Sequence, residues 1–283
     1  MVSPFFLFNW DIYISNLYPM CIIISKNING SKVLAKNRDR AYKPSLEIVH
    51  TIINGVEVVY LRDTITDWSE GMNEYGIGLV NTALMVGYDE NEKKIVKKGG
   101  KPSKDGRRIR RALSQKKIKD TVNSAITFNG GIKGHTFIST PKRMIAIETT
   151  SNHEPKFKLF NEEDVVRTNH GHLHHNAGYT KGKDYLSSKI RKLTAEKLIA
   201  DINNLDEILP ALRKKFYKKD SNHNLKRDTN KMFTSSQLLL DLENKLFKLT
   251  YIENNIDEFV GIRKSFPKGY EPKIKIVVTK VKS

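Results

Sequence analysis

Residues 20–40 read Met20-Cys21-Ile22-Ile23-Ile24-Ser25-Lys26-Asn27-Ile28-Asn29-Gly30-Ser31-Lys32-Val33-Leu34-Ala35-Lys36-Asn37-Arg38-Asp39-Arg40. Two short apolar runs, at 21–25 and 33–35, have the length and composition of β-strands. A hairpin between them would return Asp39 toward Cys21, the only cysteine of the chain. If translation begins at Met20, the methionine is removed before a small second residue, and Cys21 then carries a thiol and a free α-amine. A model amine titrates near pH ~8 and a model thiol near ~8.5. Nucleophile and proton acceptor would thus share one residue with no histidine required. The competing reading is a buried strand cysteine beside three isoleucines.

The stretch upstream differs from everything after it. Residues 1–19 crowd Phe5, Phe6, Phe8, Trp10, Tyr13 and Tyr18 around a single charge, Asp11, and contain neither lysine nor arginine. A secretory signal needs a basic start, an uninterrupted apolar core and a small-residue cleavage site. Here Asp11 interrupts the core and Tyr18-Pro19-Met20 is too bulky for either ordinary or lipoprotein processing. Residues 1–20 are therefore expected to be a non-native upstream extension or a removable propeptide, and residues 21–283 a single domain.

Across 283 residues, 39% hydrophobic and 28% charged with 17 Gly and 9 Pro, the composition is that of a globular chain. One cysteine permits no intramolecular disulfide and no paired-cysteine zinc pattern. No apolar run reaches the ~18 residues of a spanning helix, and the chain is expected in the cytoplasm. The net charge of +18 would draw polyanions if concentrated, but carboxylates interrupt most of the basic runs. A solvated lysine-rich surface is expected, with no specific nucleic-acid site.

Beyond residue 40, β-like runs are expected at 46–53 and 56–61, joined by Asn54-Gly55, the strongest short hairpin signal. Another lies at 76–81, and more at 135–139, 144–149, 165–169, 236–242, 246–252 and 274–281. A basic, glycine-containing loop is expected at 97–106. Helices are expected at 107–113 and 119–128, the second ended by Asn129-Gly130-Gly131. A long amphipathic helix carries Tyr185, Ile190, Leu193, Ala195, Leu198 and Ile199, and another helix is expected at 206–217. Many strands without βαβ alternation predict an α+β layered domain.

Five stretches in order carry a family likeness: Met20-Cys21-Ile22-Ile23, Asn37-Arg38-Asp39, Glu70-Gly71-Met72-Asn73-Glu74-Tyr75-Gly76-Ile77, Arg167-Thr168-Asn169-His170 and Ser187-Ser188-Lys189-Ile190-Arg191. Together they resemble the cysteine N-terminal-nucleophile (Ntn) hydrolases, nearest to the penicillin acyltransferase-like (C45) and choloylglycine hydrolase/penicillin V acylase families. The opening is also similar to the NRDE-motif proteins. The resemblance implies an αββα four-layer sandwich with two antiparallel sheets and no cofactor. It implies hydrolysis or transfer of the acyl group of a linear N-acyl amide through a thioester on Cys21.

The same resemblance implies that Asp39 orients the α-ammonium, that Asn81 and Asn169 stabilise the oxyanion, and that Arg191 is the site arginine. Asn37, Arg38 and His170 are expected near the substrate. Lys36 stands where the choloylglycine pattern has arginine, which leaves open which cation lies by the thiol. For Asp39 a plain turn role, for Asn81 a capping or turn role, and for Arg191 one more solvated helix cation stand as alternatives. His170, His172, His174 and His175 could share a metal, but with no carboxylate or cysteine at familiar sequence spacing, a loop at the cleft and no metal is the expectation. Two rival functions stay open: a non-enzymatic NRDE-like protein on the same scaffold, and a basic nucleic-acid-associated protein.

Overall fold

The computed structural model describes residues 21–84, 105–150, 153–178, 180–218, 221–229 and 232–262. The upstream extension and the strand expected at 274–281 lie outside the described residues, as does most of the basic loop at 97–106. In chain order the elements are β1 (Ile22–Ile28), β2 (Ser31–Arg40), β3 (Leu46–Ile53), β4 (Val56–Asp63), β5 (Trp68–Asn73), β6 (Gly78–Thr82), α1 (Asp105–Leu113) and α2 (Ile118–Thr127). They continue with β7 (Gly134–Ser139), β8 (Met144–Thr149), β9 (Lys156–Phe160), β10 (Val165–Arg167), α3 (Gly182–Ala200), α4 (Leu205–Ala211), β11 (Phe233–Asp241), β12 (Leu246–Tyr251) and β13 (Ile256–Gly261). One sheet has the order β10-β1-β2-β11-β12-β13, the other β3-β4-β5-β6-β7-β8-β9. Every pairing is antiparallel. At the β3–β4 turn, Asn54 and Gly55 both take positive φ (52° and 71°), as a two-residue hairpin loop matched to strand twist requires.

Strand alternation sorts the apolar residues into three layers. Ile23, Leu34, Leu238 and Leu240 of the first sheet meet Val59, Leu61, Val80 and Phe137 of the second in a central core. The opposite faces of β1 and β2, with Ile22, Ile24, Val33 and Ala35, pack on Ala195 and Ile199 of α3 and on Ile208 and Leu209 of α4. On the far side, Val58, Leu79 and Ile138 cover Ile109, Ala112 and Leu113 of α1 and Ala125 of α2. The result is the expected α+β sandwich, helices–sheet–sheet–helices.

Three strands are absent from the sequence expectation. β5 carries Glu70 and Gly71 in its middle, which masks its β character, yet it is buried throughout. β9 and β13 are edge strands with mostly exposed or half-exposed side chains. The helix expected at 206–217 is only Leu205–Ala211, with Pro210 inside it and Asn204 capping it by accepting from the Asp206 amide.

Gly71 marks a close approach inside the second sheet. A Cβ there would stand 2.1 Å from the Val59 carbonyl oxygen and 2.6 Å from Tyr60 Cα, so the neighbouring strand would have to move. Gly71→Ala is expected to cost about 3 kcal/mol, lowering the melting temperature by roughly 6–12 °C for a domain of this size. Melting within about 2 °C of wild type would contradict that packing.

Candidate active site

Cys21 immediately precedes β1 and has the parity of Ile23, so its side chain turns between the two sheets, where it is buried. On β2 the residues sharing that face alternate as Leu34, Lys36, Arg38 and Arg40, all buried. Arg40 is the cation at the sulfur: its Nη1 lies 3.3 Å from Cys21 Sγ and donates also to the Asp39 carbonyl at 2.8 Å. Lys36, at the position of the pattern's arginine, instead bonds Glu70 Oε1 and the Asn81 carbonyl. Trp68 Nε1 donates to the same Glu70 oxygen at 2.9 Å. Burial pushes the Lys36 ammonium below its ordinary range, against the pull of Cys21 and Glu70. Burial would raise Glu70, but Lys36 and Arg38 outweigh it and hold the carboxyl below the usual range.

Asn37 and Asp39 have the other parity and face the helices. Asn37 Nδ2 donates to the carbonyls of Leu212 and Leu225, both at 2.9 Å, so this side chain ties β2 to the segments around α4. The Asp39 carboxylate accepts from Thr234 Oγ1 at 2.8 Å and stands 3.6 Å from Arg191 and 3.5 Å from Arg227. Burial raises the Asp39 carboxyl, opposed by Arg227 and Arg191. Asp39 thus meets the cysteine with its backbone carbonyl, 3.9 Å from Sγ, while its carboxylate sits on the reverse face of the strand among arginines.

Arg191 links this outer cluster to Asn169. Its Nη2 donates to Asn169 Oδ1 at 2.9 Å. With the acceptor end of the amide held by a guanidinium, the donor end must point the other way. Asn169 Nδ2 accordingly donates to the Ala83 carbonyl at 2.8 Å and reaches Thr82 Oγ1 at 3.3 Å. Thr82 Oγ1 in turn lies 3.4 Å from the Cys21 carbonyl. Ser188, at the start of the Ser-x-x-Arg match on α3, fixes the backbone here by accepting from the Asn169 amide at 2.9 Å. The first half of α3 therefore buries Ser187, Ser188 and Arg191, whereas Leu193 of the expected apolar stripe is exposed.

The structure separates Asn81 from this group. On β6, Val80 belongs to the central core and Leu79 to the outer one, so Asn81 points outward and Thr82 inward. Asn81 Nδ2 donates to the Lys133 carbonyl at 3.1 Å and to Thr136 Oγ1 at 2.7 Å. Thr82, Arg40, Glu70, Arg227 and Thr234 complete the constellation; of these only Glu70 falls in a stretch that carries the family likeness, and there without a role of its own. Parity could have exposed the first two, because Val80 fixes the inward face of β6 and Cys21 shares its face with Arg40.

The histidine run takes a structural part. Glu148 of β8 receives the amides of His172, Leu173 and His174 at 2.8–3.1 Å and stands 3.2 Å from His135 Nδ1. A carboxylate is thus near in space although distant in sequence, and its oxygens clamp the loop that follows Asn169. Burial would raise this carboxyl, but His135 and the loop amides hold it well below its usual range. His170 Nδ1 lies 2.8 Å from Ser188 Oγ, toward α3. Burial lowers its pKa to about 4, and that of His172 to about 2. Among the described residues no group of His, Cys, Asp and Glu could hold a metal ion, and no helix is long and apolar enough to cross a membrane.

A cleft of about 530 Å³ opens beside the site. Arg227 and Thr234, the partners of Asp39, line it, as do Leu46, Phe233 and Tyr251, with Lys43 at its rim.

No family model matches the sequence, and no curated protein matches it. The fold, however, recurs in solved structures. A Caenorhabditis elegans ortholog of N-acylethanolamine-hydrolyzing acid amidase superposes with a TM-score of 0.55 at 13% identity, covering 78% of this chain and 92% of that one. A mutant conjugated bile acid hydrolase from Clostridium perfringens gives 0.50 at 14% identity, covering 93% and 97%. The chain thus has the Ntn-hydrolase sandwich fold that these structures share.

Proposed function

We propose that this chain is a cysteine amidohydrolase or acyltransferase that acts on a linear N-acyl amide, in a form whose first residue is Cys21. The observation that carries the reading is the junction at that residue. Its thiol lies between the sheets against Arg40, and its carbonyl is held by Thr82, onto which the donor end of Asn169 is aimed by Arg191.

In the first step the α-amine of Cys21 takes the thiol proton and the sulfur adds to the amide carbonyl, forming a C–S bond and an oxyanion. Asn169 Nδ2 is the donor for that oxyanion, exchanging its longer contact with Thr82 Oγ1, at 3.3 Å, for the substrate oxygen, and Arg40 is the charge partner of the ionised sulfur. As the intermediate collapses, the C–N bond breaks and the α-ammonium delivers its proton to the departing amine, leaving a thioester. Water then attacks with the α-amine as base, releasing the carboxylic acid and regenerating the thiol; in a transferase another amine replaces the water. Asp39 is a positioning residue, since it holds Arg191 and through it the orientation of Asn169. Asn81, whose side chain points away from the cysteine face to Lys133 and Thr136, positions Lys36 through its carbonyl.

The test is intact-mass spectrometry of the chain begun at Met20, incubated with a panel of N-acyl amides. An adduct of acyl mass that maps to Cys21 is expected, and its mass names the acyl group. Absence of an adduct and of free amine across the panel would favour the non-enzymatic scaffold instead.

A further inference from the structure

Four strands align a row of side chains with Cys21. Cys21 precedes Ile22, whose partner is Asn37, so it stands across from Arg38. Arg38 pairs with Ser236, and Ser236 with Tyr251. Directly paired residues share a face of the sheet, and Tyr251 belongs to the central core, so the whole row turns between the sheets. All three guanidinium nitrogens of Arg38, the hydroxyl of Ser236 and the hydroxyl of Tyr251 are buried without a hydrogen-bond partner. Buried polar groups are nearly always paired, and leaving a charged one unpaired is costly. Five such atoms in one line next to the nucleophile therefore call for a ligand.

Charge sets the kind of ligand. Arg38 lies 3.9 Å from Asp63 and 3.9 Å from Glu70, but both carboxylates are already engaged. Glu70 holds Lys36 and Trp68; Asp63 accepts from Tyr42 at 2.6 Å and the Ile65 amide at 3.1 Å, with Arg40 at 3.7 Å. Lys36, Arg38 and Arg40 thus face two carboxylates, one of these cations at the sulfur. While the thiol is neutral, these three cations exceed the two carboxylates by one positive charge, and water could satisfy the hydrogen bonds of Arg38 but not that excess. The row also has an entrance, because Tyr251 lines the 530 Å³ cleft together with Ser235, whose hydroxyl bonds the Arg38 carbonyl at 3.0 Å.

We propose that Arg38, Ser236 and Tyr251 form a subsite for a carboxylate carried by the N-acyl amide, which enters from the cleft. The proposal rests on the reading above for the position of the scissile carbonyl at Cys21. Adjacent strands are ~4.8 Å apart, so a carboxylate lodged between Arg38 and Ser236 lies roughly 5–8 Å from the sulfur. That spacing suits an anion a few bonds from the scissile carbon. The shared chemistry is met either on the amine side, as in an N-acyl amino acid, or on the acyl side, as in the half-amide of a dicarboxylic acid.

The test is calorimetric titration of the full chain carrying Cys21→Ala, which binds without turnover. One probe pair is N-octanoylglycine against N-octanoylethanolamine; the other is glutaryl anilide against pentanoyl anilide. The carboxylate member of one pair is expected to bind about 10- to 100-fold tighter, the range of a charge-assisted hydrogen-bonded contact, and the pair that responds identifies the side. Arg38→Met should reduce that preference to within about threefold without lowering the melting temperature of the unliganded protein, because two cations then face two carboxylates. Tyr251→Phe and Ser236→Ala, milder changes, should each diminish the preference. Equal binding within both pairs, no binding in either, a preference surviving Arg38→Met, or a melting temperature that collapses in that variant while Tyr251→Phe and Ser236→Ala keep the full preference, would each overturn the subsite. A carboxylate preference in the Cys21→Ala chain without any acyl-enzyme in the Cys21 form would instead sink the catalytic reading and leave the subsite standing.

Discussion

A chain begun at Met20 is expected to be active, whereas the same protein retaining residues 1–19 is expected to lose turnover by about 10²–10⁴-fold, the usual worth of a positioned general base. The reason is chemical. While the upstream residues remain attached, the nitrogen of Cys21 is an amide with no usable basicity, and no imidazole replaces it: His170 points to Ser188 and His172 is held on the Glu148 loop. Removal of Met20 frees an amine whose unperturbed titration near pH ~8 predicts a rate that rises with pH through that range as the base loses its proton. Cys21→Ser should retain only weak acyl transfer and Cys21→Ala none. Mass spectrometry of the assayed protein decides the matter, since full activity in a chain shown to retain residues 1–19 is incompatible with an amine base.

Much of this arrangement was legible in the sequence because it is local. The apolar runs beginning at Cys21 and Val33 and the Asn54-Gly55 turn have the periods of strands, and the three-layer core follows from their alternation. The same alternation, carried one step further, separates neighbours that a motif treats as one unit. Within Asn37-Arg38-Asp39 the middle residue faces the cysteine side of β2, while its neighbours face the helices and hold Leu212, Leu225, Arg191 and Arg227. Within Asn81-Thr82, the asparagine braces Lys133 and the threonine meets Cys21. What the sequence could not disclose were partners set by sheet order. Glu70, on a strand disguised by its own charge and by Gly71, becomes explicable only when the second sheet brings it to Lys36. Glu148 reads as an ordinary strand carboxylate until the loop amides of residues 172–174 close on it.

Asn169→Asp should lower kcat/KM by about 10²–10³-fold, the loss of one oxyanion donor, about 2.7–4 kcal/mol. The aspartate keeps the shape of the asparagine and can still meet Arg191 through the oxygen that replaces Oδ1, so the tie between α3 and the strand preceding it survives. Its other oxygen replaces Nδ2 and turns toward Thr82 and the cysteine, removing a donor and placing negative charge where the oxyanion must form. The expected signature is therefore a fall in kcat with little change in KM, measured on the substrate that yields the acyl-enzyme, together with a lowered melting temperature because the new oxygen also opposes the Ala83 carbonyl that Nδ2 now meets at 2.8 Å. Arg191→Lys should show a weaker version of the same effect. A single ammonium cannot span Asn169 and Asp39 as the two guanidinium nitrogens do, at 2.9 and 3.6 Å, so the amide would lose its fixed orientation but remain a donor. Arg191→Leu is the contrasting case: Asp39 would keep Thr234 but lose one of the two guanidinium groups beside its buried carboxylate, and about 3–5 kcal/mol of stability should be lost with the activity. If Asn169→Asp retained more than about a tenth of the parental kcat/KM while folded, the oxyanion donor would have to be sought elsewhere on the face that Cys21 shares with Thr82 and Arg40.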